Sequence, residues 1–182
     1  MTRPVAHTIL VIGYGNPARG DDGIGPAVAE EIEHMRIDGV DVDADYQLTV
    51  EDAATVAKHD FAVFVDASLE GDEPFTFSRI TPRRRISINS HAVSPEDVLG
   101  LAHNLFHAKT EGYLLGIRGY SFTMFKEKMT PQAKNNKRKA VEFLVPMLRS
   151  HSIHRTDVSV NDLLKPNEGK NERREIRHTL HR

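Results

Sequence analysis

The sequence predicts an α/β protein: a three-layer α/β/α domain whose mostly parallel, twisted sheet is flanked by helices. Segments typical of strands alternate with segments typical of helices along the 182 residues, which is the order found in α/β folds. The runs 8–15 and 61–67 are almost continuously apolar, as in parallel strands that are buried on both faces. The sequence shows no internal repeat, and its length suits a single domain.

Each element is predicted from its own pattern. Residues 22–36 carry apolar side chains at three- and four-residue steps, which indicates an amphipathic helix. The last helix begins with Thr130 as N-cap and Pro131 in the first position, and Pro146 indicates a kink or an early stop near its end. Strands are predicted at 8–15, 39–46, 61–67, 74–80 and 112–119, and helices at 22–36, 51–58, 94–106 and 130–149.

The charge of the chain is unevenly distributed. The net charge is −2, but residues 165–182 contain six basic and three acidic residues, so the rest of the chain carries −5. Because the C-terminal stretch has almost nothing apolar to bury, we predict a single domain at 1–150 and a basic, disordered tail at 151–182. We prefer this interpretation to a nucleic-acid-binding tail, and we expect no nucleic-acid partner.

Composition excludes several kinds of site. The sequence contains no cysteine, which excludes disulfides, thiolate metal sites, iron–sulfur clusters and a cysteine nucleophile. No segment approaches the roughly 18 apolar residues of a membrane-spanning helix, and the N-terminus lacks a signal-peptide core. We therefore expect a cytoplasmic protein without a membrane partner, in which any metal is held by His, Asp, Glu or backbone atoms.

The segment GYGNPARGDDGIG follows the first predicted strand and leads into a helix. Gly13 and Gly15 fit a dinucleotide-binding fingerprint, although Ala18 stands at its third position. Asp21 and Asp22 at the start of the helix would repel a pyrophosphate, so a cation fits this turn better than an anion.

Three other residues bear on this choice. Asp43 and Asp45 lie near the end of the second predicted strand, where a ribose-binding acid would lie, so nucleotide binding stays open as an alternative. Asn16 is expected mainly to fix the glycine turn by a bond to the backbone.

Polar side chains follow the ends of the parallel strands, where ligands bind in open α/β sheets. Asp22 follows the first strand, Asp66 closes the third, and His91 precedes a helix. Two carboxylates and one imidazole suit zinc, nickel, iron or manganese and would leave coordination positions open. Each residue also has a simpler interpretation: Asp22 as a helix cap, Asp66 bonded to loop amides, and His91 as an ordinary turn residue.

The combined motifs resemble those of the hydrogenase maturation proteases, the endopeptidases that remove a C-terminal extension from the large subunit of nickel–iron hydrogenases after nickel insertion. The resemblance covers about residues 8–149. It rests on Gly-x-Gly-Asn and Asp-Asp-Gly-x-Gly after the first strand, then Val-Asp-Ala, then Ser-His, which are here Gly13, Gly15, Asn16, Asp21, Asp22, Gly23, Gly25, Val65, Asp66, Ala67, Ser90 and His91. Two positions depart from it: many relatives have Glu in place of Asp22, and Gly119 stands where proline is common, in a loop at 119–130 that is a plausible specificity element.

The resemblance implies an aspartic-type endopeptidase with Asp22 and Asp66 as catalytic residues and Asp22, Asp66 and His91 as metal contacts. Gly13, Gly15, Asn16 and Gly23 would support the turn. It implies nickel contributed by the substrate, although another divalent ion could occupy the site in vitro, and no organic cofactor. The partner would be the hydrogenase large-subunit precursor, and we expect a monomer.

The sequence leaves the details of hydrolysis open. Either carboxylate could be the base, and the metal or the amides of the 13–16 turn could stabilise the oxyanion. Besides the nucleotide-binding alternative, a non-catalytic nickel carrier with the same residues remains open.

Overall fold

The computed structural model describes residues 7–83 and 93–153. Its ordered elements alternate as the sequence predicts. The strands are β1 (Ile9–Tyr14), β2 (Val40–Asp45), β3 (Phe61–Ser68), β4 (Phe75–Arg79) and β5 (Glu111–Arg118), and the helices are α1 (Ile24–Met35), α2 (Asp52–Val56), α3 (Pro95–Phe106) and α4 (Pro131–Ser150). A 3-10 turn, Gly20–Gly23, leads into α1. Within residues 7–83 and 93–153, no helix is long and apolar enough to cross a membrane.

The five strands form one sheet in the order β2-β1-β3-β5-β4. Neighbouring strands are parallel except for β4, which runs antiparallel to β5 at one edge. The mostly parallel α/β sheet predicted from the sequence is thus confirmed. Because β1, β3 and β5 run in the same direction, their carboxyl ends meet at one edge of the sheet.

Alternate residues of the central strands enter two separate cores. In β1, Ile9 and Val11 point to the face that α1 and α4 cover, whereas Leu10 and Ile12 point to the face that α2 and α3 cover. All four side chains are essentially inaccessible to solvent, which explains why β1 reads as a continuous apolar run. The molecule therefore has the predicted three layers.

Local sequence signals account for the helix boundaries. Ser94 caps α3 in a reciprocal capping box with Asp97. The Thr130 hydroxyl accepts the Ala133 N–H at 3.2 Å at the start of α4, as predicted.

The early stop considered at Pro146 does not occur, since α4 continues to Ser150. Pro146 is exposed, so the carbonyl that it leaves unpaired in the helix can be solvated. The folded chain extends past the helix, since Ile153 still packs in the core. The tail predicted from 151 onward otherwise lies outside the described residues.

Candidate functional site

The glycine turn after β1 is shaped by close backbone contacts. Gly15 has a φ of 137°, and a Cβ atom there would lie 2.0 Å from the carbonyl oxygen of Asp22. A Cβ atom on Gly13 would lie 2.1 Å from the Gly25 carbonyl oxygen at the start of α1. Only glycine fits these two positions, because any side chain would push the helix away from the strand.

Asn16 fixes this turn through its own side chain. Its Oδ1 accepts the Ala18 N–H at 2.9 Å, which is the structural role predicted for it. The backbone N–H of Asn16 donates to Oδ2 of Asp22 at 3.2 Å. An amide that could have bound a phosphate is therefore bonded to a carboxylate, which argues against the nucleotide alternative.

Asp22 belongs to the 3-10 turn and does not cap α1. The N-cap of α1 is Gly23, and no side chain makes a capping bond there. Besides the Asn16 amide, the Asp22 carboxylate has Nη1 of Arg19 at 3.8 Å from Oδ2. The simple helix-cap interpretation of Asp22 is therefore wrong, and its carboxylate stays partly accessible at the edge of the sheet.

Asp66 occupies the same edge on β3 and is half-buried. Its Oδ1 accepts the N–H of Ala67 at 2.7 Å, and the hydroxyl of Tyr14 on β1 also donates to it. The pKa of Asp66 is raised to about 6, chiefly by burial and also by the negative charge of Asp22, although hydrogen bonds from Tyr14 and Ala67 lower it. Asp22 and Asp66 thus meet at the carboxyl edge of the sheet, close enough for the charge of Asp22 to raise the pKa of Asp66.

Tyr14 is a residue of the site that sequence reasoning missed. Burial raises the pKa of the Tyr14 phenol, and the nearby Asp66 and Glu96 raise it further, so Tyr14 is a neutral donor at any ordinary pH. The sequence does contain a partial signal for this contact, because Tyr14 and Asp66 each lie near the end of a predicted strand. It does not specify that these two strands are neighbours in the sheet.

Asp21 has a structural role that the sequence also did not reveal. It is fully buried, and its carboxylate accepts the N–H groups of Tyr120, Ser121 and Thr130 at 2.7–3.0 Å and the Thr130 hydroxyl at 2.9 Å. Burial alone would raise the pKa of Asp21, but these hydrogen bonds outweigh it and lower the pKa. Asp21 therefore anchors the loop after β5, while its neighbour Asp22 remains at the site.

The same loop is joined to the turn at the backbone. Arg19 and Lys126 form an isolated parallel bridge, and the Gly20 N–H donates to the Lys126 carbonyl. Gly119, which departs from the family pattern, donates its N–H to Ser68 at 2.9 Å, and a Cβ atom there would lie 3.0 Å from Cβ of Asp21. A proline at 119 would lack this N–H, so glycine suits this particular loop.

His91, the third predicted metal contact, lies outside the described residues. Arg83, the last described residue before it, is tied to the first turn of α3. The Arg83 guanidinium donates to both carboxylate oxygens of Asp97 at 2.9 and 3.0 Å, and its backbone N–H donates to the Glu96 carbonyl at 2.9 Å. Since Glu96 also acts on Tyr14, this turn of α3 belongs to the same region as Asp66.

A second acidic group lies at the end of β2. Carboxylate oxygens of Asp43, Asp45 and Asp52 all lie within 4.8 Å of one another. Burial raises the pKa of Asp52, with further contributions from Asp45 and Asp43, while hydrogen bonds from Thr49 lower it. The two aspartates considered for ribose binding thus lie against a third carboxylate, beside α2.

Solved structures of known proteins share this fold. The NiFe hydrogenase maturation protease HycI from Thermococcus kodakarensis KOD1 superposes with a TM-score of 0.64 at 22% identity, over 80% of this chain and 95% of that one. Hydrogenase 2 maturation peptidase from Thaumarchaeota archaeon SCGC_AB-539-E09 superposes with a TM-score of 0.58 at 24% identity, over 78% of this chain and 97% of that one. For the hydrogenase maturating endopeptidase HybD from E. coli, the TM-score is 0.57 at 22% identity, over 78% of this chain and 92% of that one.

The sequence by itself matches no protein-family model and no curated protein. The relation is therefore carried by the three-dimensional structure, in which most of the chain superposes on nearly the whole of each neighbour. This chain has the fold of the NiFe hydrogenase maturation proteases, the family that its motifs resemble.

Proposed function

We propose that the chain is an endopeptidase that removes the C-terminal extension from the nickel-loaded large-subunit precursor of a nickel–iron hydrogenase. The observation that carries this proposal is the meeting of Asp22 and Asp66 at the carboxyl edge of a maturation-protease fold. Ligand sites of open α/β sheets lie at this edge.

Recognition of the substrate would depend on its nickel. Asp22, Asp66 and His91 would donate oxygen and nitrogen ligands to open coordination positions of that ion. Arg19 lies beside Asp22, so a cation that arrives at this carboxylate would replace one positive charge by another. Cleavage would then be conditional on nickel loading, and the protein would need no resident metal and no organic cofactor.

Asp66 is the better candidate for the general base. A carboxylate with a pKa of about 6 is ionised at neutral pH and more basic than an ordinary aspartate. With one oxygen bound to the nickel, its other oxygen would take a proton from the water whose oxygen attacks the scissile carbonyl carbon. The proton would pass to the amide nitrogen as the C–N bond breaks, which leaves one new carboxylate and one new amine.

The oxyanion needs a partner other than the glycine turn. The Gly15 N–H donates to the Asp45 carbonyl at 3.0 Å, and the Asn16 N–H donates to Asp22. Because both amides are already bonded, stabilisation by the substrate's nickel is the better of the two alternatives that the sequence left open.

The test is mass spectrometry of nickel-loaded and nickel-free precursor after incubation with the protein. We expect loss of a C-terminal peptide only from the loaded precursor. His91→Ala and Asp66→Asn should abolish the cleavage, whereas His34→Ala and Asp72→Asn, which change exposed residues of the same types, should not.

Other outcomes would support the alternatives. Tight nickel binding by the isolated protein without any cleavage would indicate a nickel carrier, and thermal stabilisation by nucleotides would indicate a nucleotide-binding protein. We further propose that the protein acts as a monomer in the cytoplasm, which sedimentation and cell fractionation can test.

A further inference from the structure

Tyr14 and Asp66 occupy adjacent positions on neighbouring parallel strands. The register pairs Gly13 of β1 with Val65 of β3, so the next residues on the two strands are Tyr14 and Asp66. Because side chains alternate along a strand, Tyr14 shares the face of Leu10 and Ile12, and Asp66 shares the face of Phe64. Both side chains therefore lie on the α2/α3 face, side by side at its carboxyl edge.

On its other side, Asp66 faces a strand position without a side chain. The register pairs Asp66 with Gly116 of β5, and a Cβ atom on Gly116 would lie 3.0 Å from Oγ1 of Thr76 on β4. Asp66 thus has the side chain of Tyr14 on one flank, whereas the residue paired with it on the other flank has no side chain.

The hydrogen bonds of Asp66 restrict its orientation. The Ala67 N–H binds Oδ1 at 2.7 Å, and the Tyr14 hydroxyl donates to the same carboxylate. The ring of Tyr14 packs against the core on the α2/α3 face, and this packing holds its hydroxyl in place. A carboxylate held by one backbone and one side-chain donor has little rotational freedom left.

We propose that Tyr14 is a positioning residue, whose hydroxyl holds the Asp66 carboxylate in a single orientation for its task in peptide cleavage. This inference rests on the proposed function for its consequence in catalysis, but the orientation itself is a property of the free protein. A purely structural Tyr14 would contribute through its ring alone, and phenylalanine would replace it without effect.

The first experiment uses no substrate. In Tyr14→Phe, the three-bond couplings about χ1 of Asp66 should change from those of one rotamer to those of an average over several. In the unsubstituted protein, the Tyr14 hydroxyl proton should exchange slowly with solvent. Unchanged Asp66 couplings in Tyr14→Phe, or rapid exchange of the Tyr14 hydroxyl proton, would overturn the proposal. Because the hydroxyl exchange is measured on the unsubstituted protein, it decides the matter even if the variant does not fold.

The second experiment measures steady-state cleavage of nickel-loaded precursor by Tyr14→Phe. We expect kcat to fall about 10- to 100-fold, as is typical when the partner of a functional ligand is removed, with KM changed less than about twofold. The control is Tyr46→Phe, because Tyr46 is 72% exposed, and its kcat should be that of the unsubstituted protein.

The two experiments separate the two proposals. If the unsubstituted protein cleaves no precursor, the proposed function fails, while the couplings and hydroxyl exchange still decide the positioning role. If it cleaves and Tyr14→Phe retains full kcat, the positioning role fails and the proposed function stands.

Discussion

Two adjacent aspartates with the same chemistry have different roles at the residue scale. Asp21 is completely buried and saturated with hydrogen bonds from the loop after β5, whereas Asp22 receives one backbone N–H and lies beside Arg19. The sequence presents them as a carboxylate pair. Their separation depends on the 3-10 turn, which directs successive side chains to different sides.

Replacing Asp21 by Asn should destabilise the protein by about 3 kcal/mol at pH 7, because an amide cannot accept four hydrogen bonds and charged acceptors contribute most. Urea unfolding measures this loss. The lowered pKa of Asp21 means that its contribution is complete above the unfolded pKa and is lost as pH falls through the lower folded pKa. The difference between the variant and the unsubstituted protein should therefore narrow below about pH 4. Asp22→Asn is the matched control, and equal losses in both variants would contradict the assignment of Asp21 as the anchor.

Replacing Asp66 by Asn should have the opposite effect on stability. The folded pKa of about 6 lies above the ordinary 3.8, so ionisation of Asp66 costs stability as pH rises from about 4 to 6. At pH 7, the free energy of unfolding of Asp66→Asn should exceed that of the unsubstituted protein by on the order of 2–3 kcal/mol, which raises Tm by several degrees. At pH 4 the two proteins should be almost equally stable. Thermal unfolding between pH 4 and 8 measures the gain.

Asp60 provides the control for that pH dependence. Its pKa is lowered, chiefly by the backbone hydrogen bond from Thr8, so its contribution to stability is present at neutral pH and is lost on acidification. Asp60→Asn should therefore lose stability at pH 7, and a gain there would contradict the sign argument for both residues.

At the scale of elements, the sequence predicted the positions of strands and helices but not the features that depend on which elements pair. All five strands and four helices lie within a few residues of their predicted positions, because continuous apolar runs and helical periodicity are local signals. The antiparallel direction of β4 could not be predicted, since periodicity is the same for both directions. The anchoring of the loop by Asp21 joins residues about 100 positions apart, which no local pattern encodes.

The loop after β5 contains a residue in an unfavourable backbone conformation. Phe125 has a φ of 61° and a side chain that is 90% exposed. A left-handed backbone conformation destabilises a residue that has a Cβ atom by roughly 1–2 kcal/mol. Glycine avoids this cost, but it also increases the conformational entropy of the unfolded chain, which offsets part of the gain in stability. Phe125→Gly should therefore stabilise the protein by about 0.5–1 kcal/mol.

Chemical denaturation of two glycine variants tests this expectation. Leu105 is also an exposed apolar residue but lies within α3, so Leu105→Gly should lose about 1 kcal/mol. A loss of stability in Phe125→Gly as large as that in Leu105→Gly would show that the loop does not hold position 125 in the left-handed conformation.

At the scale of the whole molecule, the sheet order explains which parts of the site could be predicted. The proximity of Asp22 and Asp66 could be predicted because Asp22 follows β1, Asp66 lies near the end of β3, and the carboxyl ends of parallel strands share one edge. Tyr14 was not found, because its contact with Asp66 depends on β1 and β3 being neighbours in exact register. The predicted position of His91 remains a prediction, as that residue lies outside the described part of the chain.

The position of β2 at one edge of the sheet has a consequence for colloidal behaviour. An unpaired edge can recruit a strand from another molecule, and charged side chains are a common protection. β2 carries Asp41, Asp43 and Asp45 at alternate positions. Replacing all three by Asn should therefore cause concentration-dependent self-association at neutral pH, detectable by light scattering.

Replacing Glu70 and Glu142 by Gln and Asp72 by Asn gives the same change in net charge at exposed positions outside β2 and its neighbours and should leave the protein dispersed. Association of both triple variants would assign the effect to net charge alone. If only the β2 variant associates, the row of carboxylates on this strand keeps the sheet from growing into an intermolecular one.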